Sequence, residues 1–191
     1  MKAFTIHSPE TASPPADDLL AGIRSRFGMV PNVFATIAES PVALRAFIEL
    51  NSHFAESSFD ATNRELIQTA ASVENQCSYC VAGHTAFAEM QDVPREIMDA
   101  VRDNRPLADR KLEALNSFTR ALVRDRGMIP ERELQRFLDA GHSQAQVLEV
   151  ILGVCIKTFS NLASNAIGIP LDDAFAAHAW PAQAPRIHAV K

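Results

Sequence analysis

The sequence has little tryptophan, tyrosine or cysteine, with one Trp, one Tyr and three Cys among its 191 residues. Three cysteines are too few for the disulfide framework of a small secreted domain. No stretch approaches the roughly 18 consecutive apolar residues of a membrane-spanning helix, and the N-terminus has no apolar core of signal-peptide length. The formal net charge of −5 argues against nucleic acid and anionic membrane as partners. We therefore expect a cytoplasmic protein that binds neither.

Alternating β-type runs are scarce, and no strand–helix–strand pattern is present, so helical periodicity dominates the sequence. The 47% hydrophobic and 21% charged content is that of an ordinary globular protein, and the length suits a single domain. These features predict an all-α fold. Capping residues, prolines and glycines divide the chain into predicted helices at about 17–27, 31–39, from 41, 60–75, 77–90, 94–104, 109–126, 130–140 and 143–167. Residues 171–178 are predicted to form a short turn, and residues 179–191 a mobile or intersubunit tail.

The chemically informative segment contains Cys77, Cys80 and His84 at positions i, i+3 and i+7 of one predicted helix. At about 100° per residue, these three side chains share a stripe roughly 60° wide. Cα atoms three residues apart in a helix lie about 5 Å from each other, which a disulfide can bridge. The two cysteines are therefore predicted to cycle between dithiol and disulfide.

The start of a helix also favours thiolate, because unpaired backbone N–H groups and the helix dipole stabilise negative charge there. His84 lies one turn beyond Cys80, where it could accept the thiol proton directly or through a water molecule. Glu65 lies on the preceding predicted helix. If the two helices pack antiparallel around a break near Asn75, Glu65 would orient His84.

The segment from Glu65 through Cys77-Ser78-Tyr79-Cys80 to His84 resembles the AhpD-like alkylhydroperoxidase branch of the carboxymuconolactone decarboxylase superfamily. The segments 27–32, 158–161 and 170–172 are similar to the longer peroxidase-related members of this group. Together these matches cover most of the chain. They imply a single AhpD-like helical domain over residues 1–191, with a core at 40–105 that carries the CxxC helix hairpin.

The resemblance further implies a homo-oligomer that reduces hydrogen peroxide or alkyl hydroperoxides. In that family the second cysteine attacks peroxide, which assigns this role to Cys80, and the sulfenic acid then condenses with Cys77. His84 and Glu65 would form the proton relay. Tyr79 stands where the best-known member has a histidine, and tyrosine is a far weaker base at neutral pH. The expected partners are a peroxide and an unidentified dithiol reductant, with no cofactor and no resident metal.

Three alternatives stay open on the sequence. Cys77, Cys80, His84 and Glu65 are acceptable zinc ligands by type, so a metal-binding module is one of them. A lyase like the decarboxylases of the superfamily is another, although those generally lack paired cysteines. The third is a redox sensor in which the disulfide alters a partner interface.

Outside the motif, most polar and sulfur-containing residues are interpreted as structural. Cys155 lies in an apolar helix and is expected in the core. His53, His142 and His178 are expected at the surface or as helix caps. Asn161, Ser164 and Asn165 are expected to form structural hydrogen bonds or an interface.

Overall fold

Local capping signals set the helix boundaries in the computed structural model, which describes residues 4–181. Side chains of Ser40, Asp60, Asp109 and Ser143 each accept a hydrogen bond from a backbone N–H in the first turn of the following helix. The described residues form nine α-helices: α1 Ala16–Phe27, α2 Asn32–Ile37, α3 Pro41–Ala55, α4 Ala61–Glu74, α5 Ser78–Met90, α6 Arg95–Arg102, α7 Arg110–Arg124, α8 Glu131–Asp139 and α9 Gln144–Ile167. A 3₁₀ helix follows at Asp173–His178. The described residues contain no β-strand, so the predicted all-α fold is confirmed.

Helix α4 is the central element of the fold. It contacts α5, α6, α7 and α9, and residues 65–73 are all buried. A helix that is buried on every side must satisfy its polar side chains internally. Ser72, for example, donates to the Gln68 carbonyl and accepts from Asn161 of α9. The Asn161 amide therefore has the structural role predicted for it.

The turn from α4 to α5 fixes where the cysteine motif begins. Gln76 has a positive φ of 54° and donates its N–H to the Val73 carbonyl. The Cys77 N–H bonds to the Ser72 carbonyl at 2.9 Å. These two bonds form a Schellman motif that ends α4. Cys77 thereby becomes the N-cap of α5, and α4 and α5 form the antiparallel pair that the break near Asn75 permits.

Helix α9 crosses α3 and α4 at very short range. A Cβ atom on Gly153 would lie 2.8 Å from both the Ile67 side chain and the Phe54 ring. Only glycine allows this approach without displacement of its neighbours. By length and composition α9 could also cross a membrane. Its inner face, however, packs on the core as in a soluble helical domain, with Lys157, Ser160, Asn161 and Ser164 buried.

Three expectations are wrong for residues outside the motif. Cys155 is exposed, because α9 turns it away from the core. His142 is buried, since its ring stacks on Phe137 at 4.2 Å and its Nε2 hydrogen-bonds to the Lys111 carbonyl. Trp180, in the predicted tail, is buried against Val73 and Val81. Residues 182–191 of that tail lie outside the described part of the chain.

Candidate active site

Cys77 and Cys80 occupy the N-cap and the third helical position of α5, and both are free thiols. Cys77 has no exposed surface, and Cys80 is only 3% exposed. The two thiols are close enough that each shifts the pKa of the other. The helix start thus holds two buried, adjacent thiols, as the i, i+3 spacing predicted.

The two thiols have opposite acidity. The neighbouring Cys80 thiol and burial raise the pKa of Cys77 far above its ordinary value. The neighbouring Cys77 thiol and the positive charge of Lys157 lower the pKa of Cys80 well below its ordinary value despite burial. These opposite shifts favour ionisation of Cys80 over ionisation of Cys77. Only the thiolate form is a competent nucleophile.

Two serines of α9 surround the Cys80 sulfur. Ser160 Oγ lies 3.9 Å and Ser164 Oγ 3.8 Å from Cys80 Sγ. A hydroxyl that donates to sulfur stabilises the thiolate, and the hydrogen bond to Ser164 contributes to the lowered pKa of Cys80. The sequence assigned Ser164 mainly to structural bonding, whereas the structure brings it to the reactive atom.

His84 and Glu65 meet in the predicted arrangement. Glu65 Oε2 lies 2.9 Å from His84 Nδ1, and both side chains are largely buried. Gln91 donates to the other Glu65 oxygen at 2.9 Å. Both carboxylate oxygens are thus held, which fixes the orientation of the imidazole.

Lys157 of α9 is the site residue that the sequence analysis missed. Its Nζ lies 2.7 Å from His84 Nε2, and the side chain is buried with 4% exposure. An ammonium can only donate, so Nε2 accepts and the imidazole proton resides on Nδ1, facing Glu65. The available signal was a lysine inside the apolar run of α9, three and seven residues before Ser160 and Ser164.

Tyr79 belongs to a separate hydrogen-bonded group. Its hydroxyl donates to Asp172 Oδ2 at 2.6 Å and accepts from the Val33 N–H at 3.1 Å. The Asn32 N–H also donates to Asp172. Burial and the Asp172 carboxylate raise the pKa of Tyr79 well above its ordinary value, and burial raises the pKa of Asp172. The Tyr79 hydroxyl therefore joins three segments of the chain, and its raised pKa keeps it protonated. A role for Tyr79 in proton transfer gains no support from this geometry.

A cavity of about 600 Å³ leads to the reactive side of the pair. Cys80, His84, Lys157 and Ser160 line it, whereas Cys77 does not. The exposed side chains of Arg26 and Met90 mark its solvent side. Six phenylalanines also line it: Phe27, Phe34, Phe47, Phe54, Phe87 and Phe175. Such a cavity suits an apolar organic molecule with one reactive polar group.

The same geometry disfavours a metal at the cysteine motif. Within residues 4–181, no group of three or more His, Cys, Asp or Glu side chains could hold a metal ion. Glu65 is bound to His84 Nδ1, and the Lys157 ammonium occupies His84 Nε2. A cation placed there would face the ammonium and lack an imidazole lone pair. The donor set does not fit the zinc alternative.

Comparison with solved structures establishes the class of fold. An uncharacterized peroxidase-related protein from Ralstonia eutropha JMP134, with an alkylhydroperoxidase AhpD core, aligns with a TM-score of 0.81 and 22% identity over 90% of this chain and 93% of that chain. A peroxidase-related protein from Silicibacter sp. TM1040 aligns with a TM-score of 0.76 and 20% identity over 91% and 95%. The debrominase Bmp8 was solved as a cysteine-to-alanine variant in complex with 2,3,4-tribromopyrrole. It aligns with a TM-score of 0.79 and 16% identity over 93% of this chain and 95% of that chain. The chain therefore has the AhpD-like fold.

A family model matches part of the sequence. Residues 41–122, which contain all five predicted site residues, match the model of the Carboxymuconolactone decarboxylase family. No curated protein matches the chain. Residues 41–122 thus match the carboxymuconolactone decarboxylase family, and the chain has an AhpD-like fold, which supports the superfamily predicted from the cysteine motif.

Proposed function

We propose that the protein is a thiol-dependent peroxidase that reduces organic hydroperoxides through Cys80 and Cys77. The observation that carries this proposal is the asymmetry of the pair. Cys80 lines the cavity and has a lowered pKa, whereas Cys77 has no exposed surface and retains its proton. A substrate that enters the cavity contacts Cys80, whereas Cys77 is buried next to Cys80 and outside the cavity lining.

The reaction has two steps at sulfur. The Cys80 thiolate attacks the terminal peroxide oxygen, the O–O bond breaks, and Cys80 becomes a sulfenic acid. The Cys77 sulfur then attacks Cys80, water leaves, and the disulfide forms. A dithiol reductant returns both cysteines to the starting state by thiol–disulfide exchange. The aromatic lining favours an organic hydroperoxide, although hydrogen peroxide also fits the cavity.

The proposed setting is a cytoplasmic homo-oligomer with neither cofactor nor resident metal. The net charge of −5 supports the absence of nucleic-acid and membrane partners. The exposed apolar residues Leu148, Ile151 and Leu162 of α9 are consistent with a subunit interface.

Mass spectrometry of the reduced protein before and after one equivalent of cumene hydroperoxide tests the reaction. We expect a loss of two hydrogen atoms that maps to the peptide containing Cys77 and Cys80. Cys80→Ser should abolish peroxide consumption. Cys77→Ser should consume one equivalent and stop at an oxidised Cys80.

Cys155→Ser is the matched control, because Cys155 is exposed on the outer side of α9. This variant should retain the activity of the original protein. Full peroxide consumption by Cys80→Ser would refute the proposed function. A disulfide that forms but turns over only very slowly with dithiothreitol would instead favour the redox-sensor alternative.

A second candidate function is thiol-dependent dehalogenation of a small halogenated aromatic compound. It is favoured by the six phenylalanines around the cavity and by the fold shared with a debrominase over 93% of this chain. Incubation of the reduced protein with tribromopyrrole, followed by measurement of bromide release, separates the two functions. The decarboxylase-type lyase has weaker support, because that reaction offers no use for two adjacent thiols.

A further inference from the structure

Lys157 is buried without a carboxylate partner. Among residues 4–181, no Asp or Glu oxygen lies within ion-pair distance of its Nζ, and its hydrogen bond is to the neutral His84 imidazole. A buried ammonium without a counter-charge is costly. A negative charge on the nearby Cys80 sulfur would offset the free-energy cost of burying the Lys157 ammonium.

The geometry of α9 places Lys157 between the two halves of the site. Lys157, Ser160 and Ser164 lie at i, i+3 and i+7, on one helix face. The serines contact the Cys80 sulfur, while Lys157 contacts His84. The positive charge of Lys157 also lowers the pKa of both thiols. Since Lys157 occupies His84 Nε2, the imidazole has no free lone pair for the Cys80 proton.

We propose that Lys157 is a catalytic residue that carries protons between the cysteine pair and the reacting oxygen, while His84 and Glu65 position it. This proposal rests on the proposed peroxidase function. It changes the predicted role of His84, which becomes the acceptor that holds the lysine rather than the base that contacts the thiol.

The protons balance over the cycle. In the reduced state Cys80 is a thiolate, Cys77 a thiol and Lys157 an ammonium. When Cys80 attacks ROOH, the O–O bond breaks and Lys157 gives its proton to the departing RO⁻, which leaves as ROH. The lysine amine then takes the Cys77 proton, Cys77 attacks the sulfenic acid, and the same proton leaves with the hydroxide as water. Lys157 is neutral in the disulfide state and regains its proton when a dithiol reduces the pair.

Other charged groups around the cavity are few and lie on three helices. Asp18 and Arg26 come from α1, and Arg64 and Glu65 come from α4. The remaining titratable groups in the lining are Tyr79, Cys80 and His84 on α5. Arg64 bonds to the Phe59 carbonyl, and Glu65 is held by His84 and Gln91. Lys157 is therefore the cation of the lining that contacts His84 and whose charge lowers the pKa of Cys80.

The test is the thiolate titration of Cys80, followed by ultraviolet absorbance and by the alkylation rate with iodoacetamide in a Cys155→Ser background. Lys157→Met should raise the Cys80 pKa by at least about one unit, so the pH at which thiolate absorbance and alkylation rate are half-maximal should rise by the same amount. Lys157→Arg retains a permanent charge that cannot be released. It should keep the low Cys80 pKa and lose peroxide turnover.

Lys111→Met is the matched control, since Lys111 is exposed on α7 and its loss removes the same charge. An unchanged Cys80 titration in Lys157→Met would overturn the proposal, as would full turnover in Lys157→Arg. If Lys157→Met does not fold, the Lys157→Arg comparison still decides. The titration requires no peroxide, so it reports on Lys157 even if the original protein consumes none.

Discussion

At the residue scale, two hydrogen-bonded groups lie on either side of Cys80, and they have different roles. The group of Glu65, His84 and Lys157 reaches the cavity beside Cys80. The group of Tyr79 and Asp172 ties α5 to the segment that begins α2 and to the 3₁₀ helix. Tyr79 lies directly before Cys80 in sequence, yet its hydroxyl is committed to the second group.

Tyr79→Phe tests this division. The variant removes the donor to Asp172 and leaves the Val33 N–H without its acceptor, so we expect a loss of about 1–3 kcal/mol in unfolding free energy. Urea denaturation measures that loss, and the alkylation rate of Cys80 provides the second readout. Unchanged stability together with a shifted Cys80 pKa would instead assign Tyr79 to the proton relay.

The residue-scale contacts were predictable only where they are close in sequence. The Glu65–His84 pair spans 19 residues across one helix hairpin, and a family motif indicates it. The Lys157–His84 contact spans 73 residues, and the Tyr79–Asp172 contact spans 93. Such pairings depend on how α9 and the 3₁₀ helix pack against α5, which no local pattern specifies.

At the element scale, the crossing of α9 over α3 and α4 depends on Gly153. Gly153→Ala should destabilise the protein by about 1–3 kcal/mol, because the added methyl group overpacks Phe54 and Ile67. Gly22→Ala in α1 is the control. A Cβ atom there meets nothing within 4 Å, so this variant should be stabilised by about 0.4–1 kcal/mol. Thermal denaturation of both variants gives the comparison, and equal melting temperatures would contradict the crossing.

Helix boundaries were predictable to within a few residues because caps and terminating glycines act locally. Ser143 and Gly168, for instance, begin and end α9 as expected. Local signals do not predict which face of a helix is exposed to solvent. Cys155 and His142 were misassigned because α9 is apolar around most of its circumference, and because a histidine can be buried by stacking on Phe137. Both outcomes are set by neighbouring helices rather than by periodicity.

At the scale of the whole molecule, the cysteine pair couples folding to pH. The folded-state pKa of Cys80 lies below the unfolded thiol value of 9.0. Its contribution to stability is therefore present above pH 9.0 and is lost as the pH falls through the folded value. Cys77 has a raised pKa, so its contribution is complete below its unfolded value and declines at higher pH. The two contributions together favour a stability maximum near the ordinary thiol pKa.

Urea denaturation of the original protein and of Cys80→Ser from about pH 6 to about pH 9 measures this coupling. The difference in unfolding free energy should increase with pH, with a slope of at most about 1.4 kcal/mol per pH unit. A difference that is flat across the range would mean that Cys80 titrates alike in the folded and unfolded chains.

If the protein is the proposed peroxidase, the complete enclosure of Cys77 also limits how its disulfide can be reduced. An incoming reductant has to attack Cys80, and it must do so through the same passage that admits the oxidant. The oxidant and the reductant would then bind alternately at the same site. This predicts double-displacement kinetics, with each substrate inhibiting binding of the other at high concentration. We therefore expect a slender dithiol or a narrow flexible arm to reduce the disulfide faster than a broad, rigid redox protein.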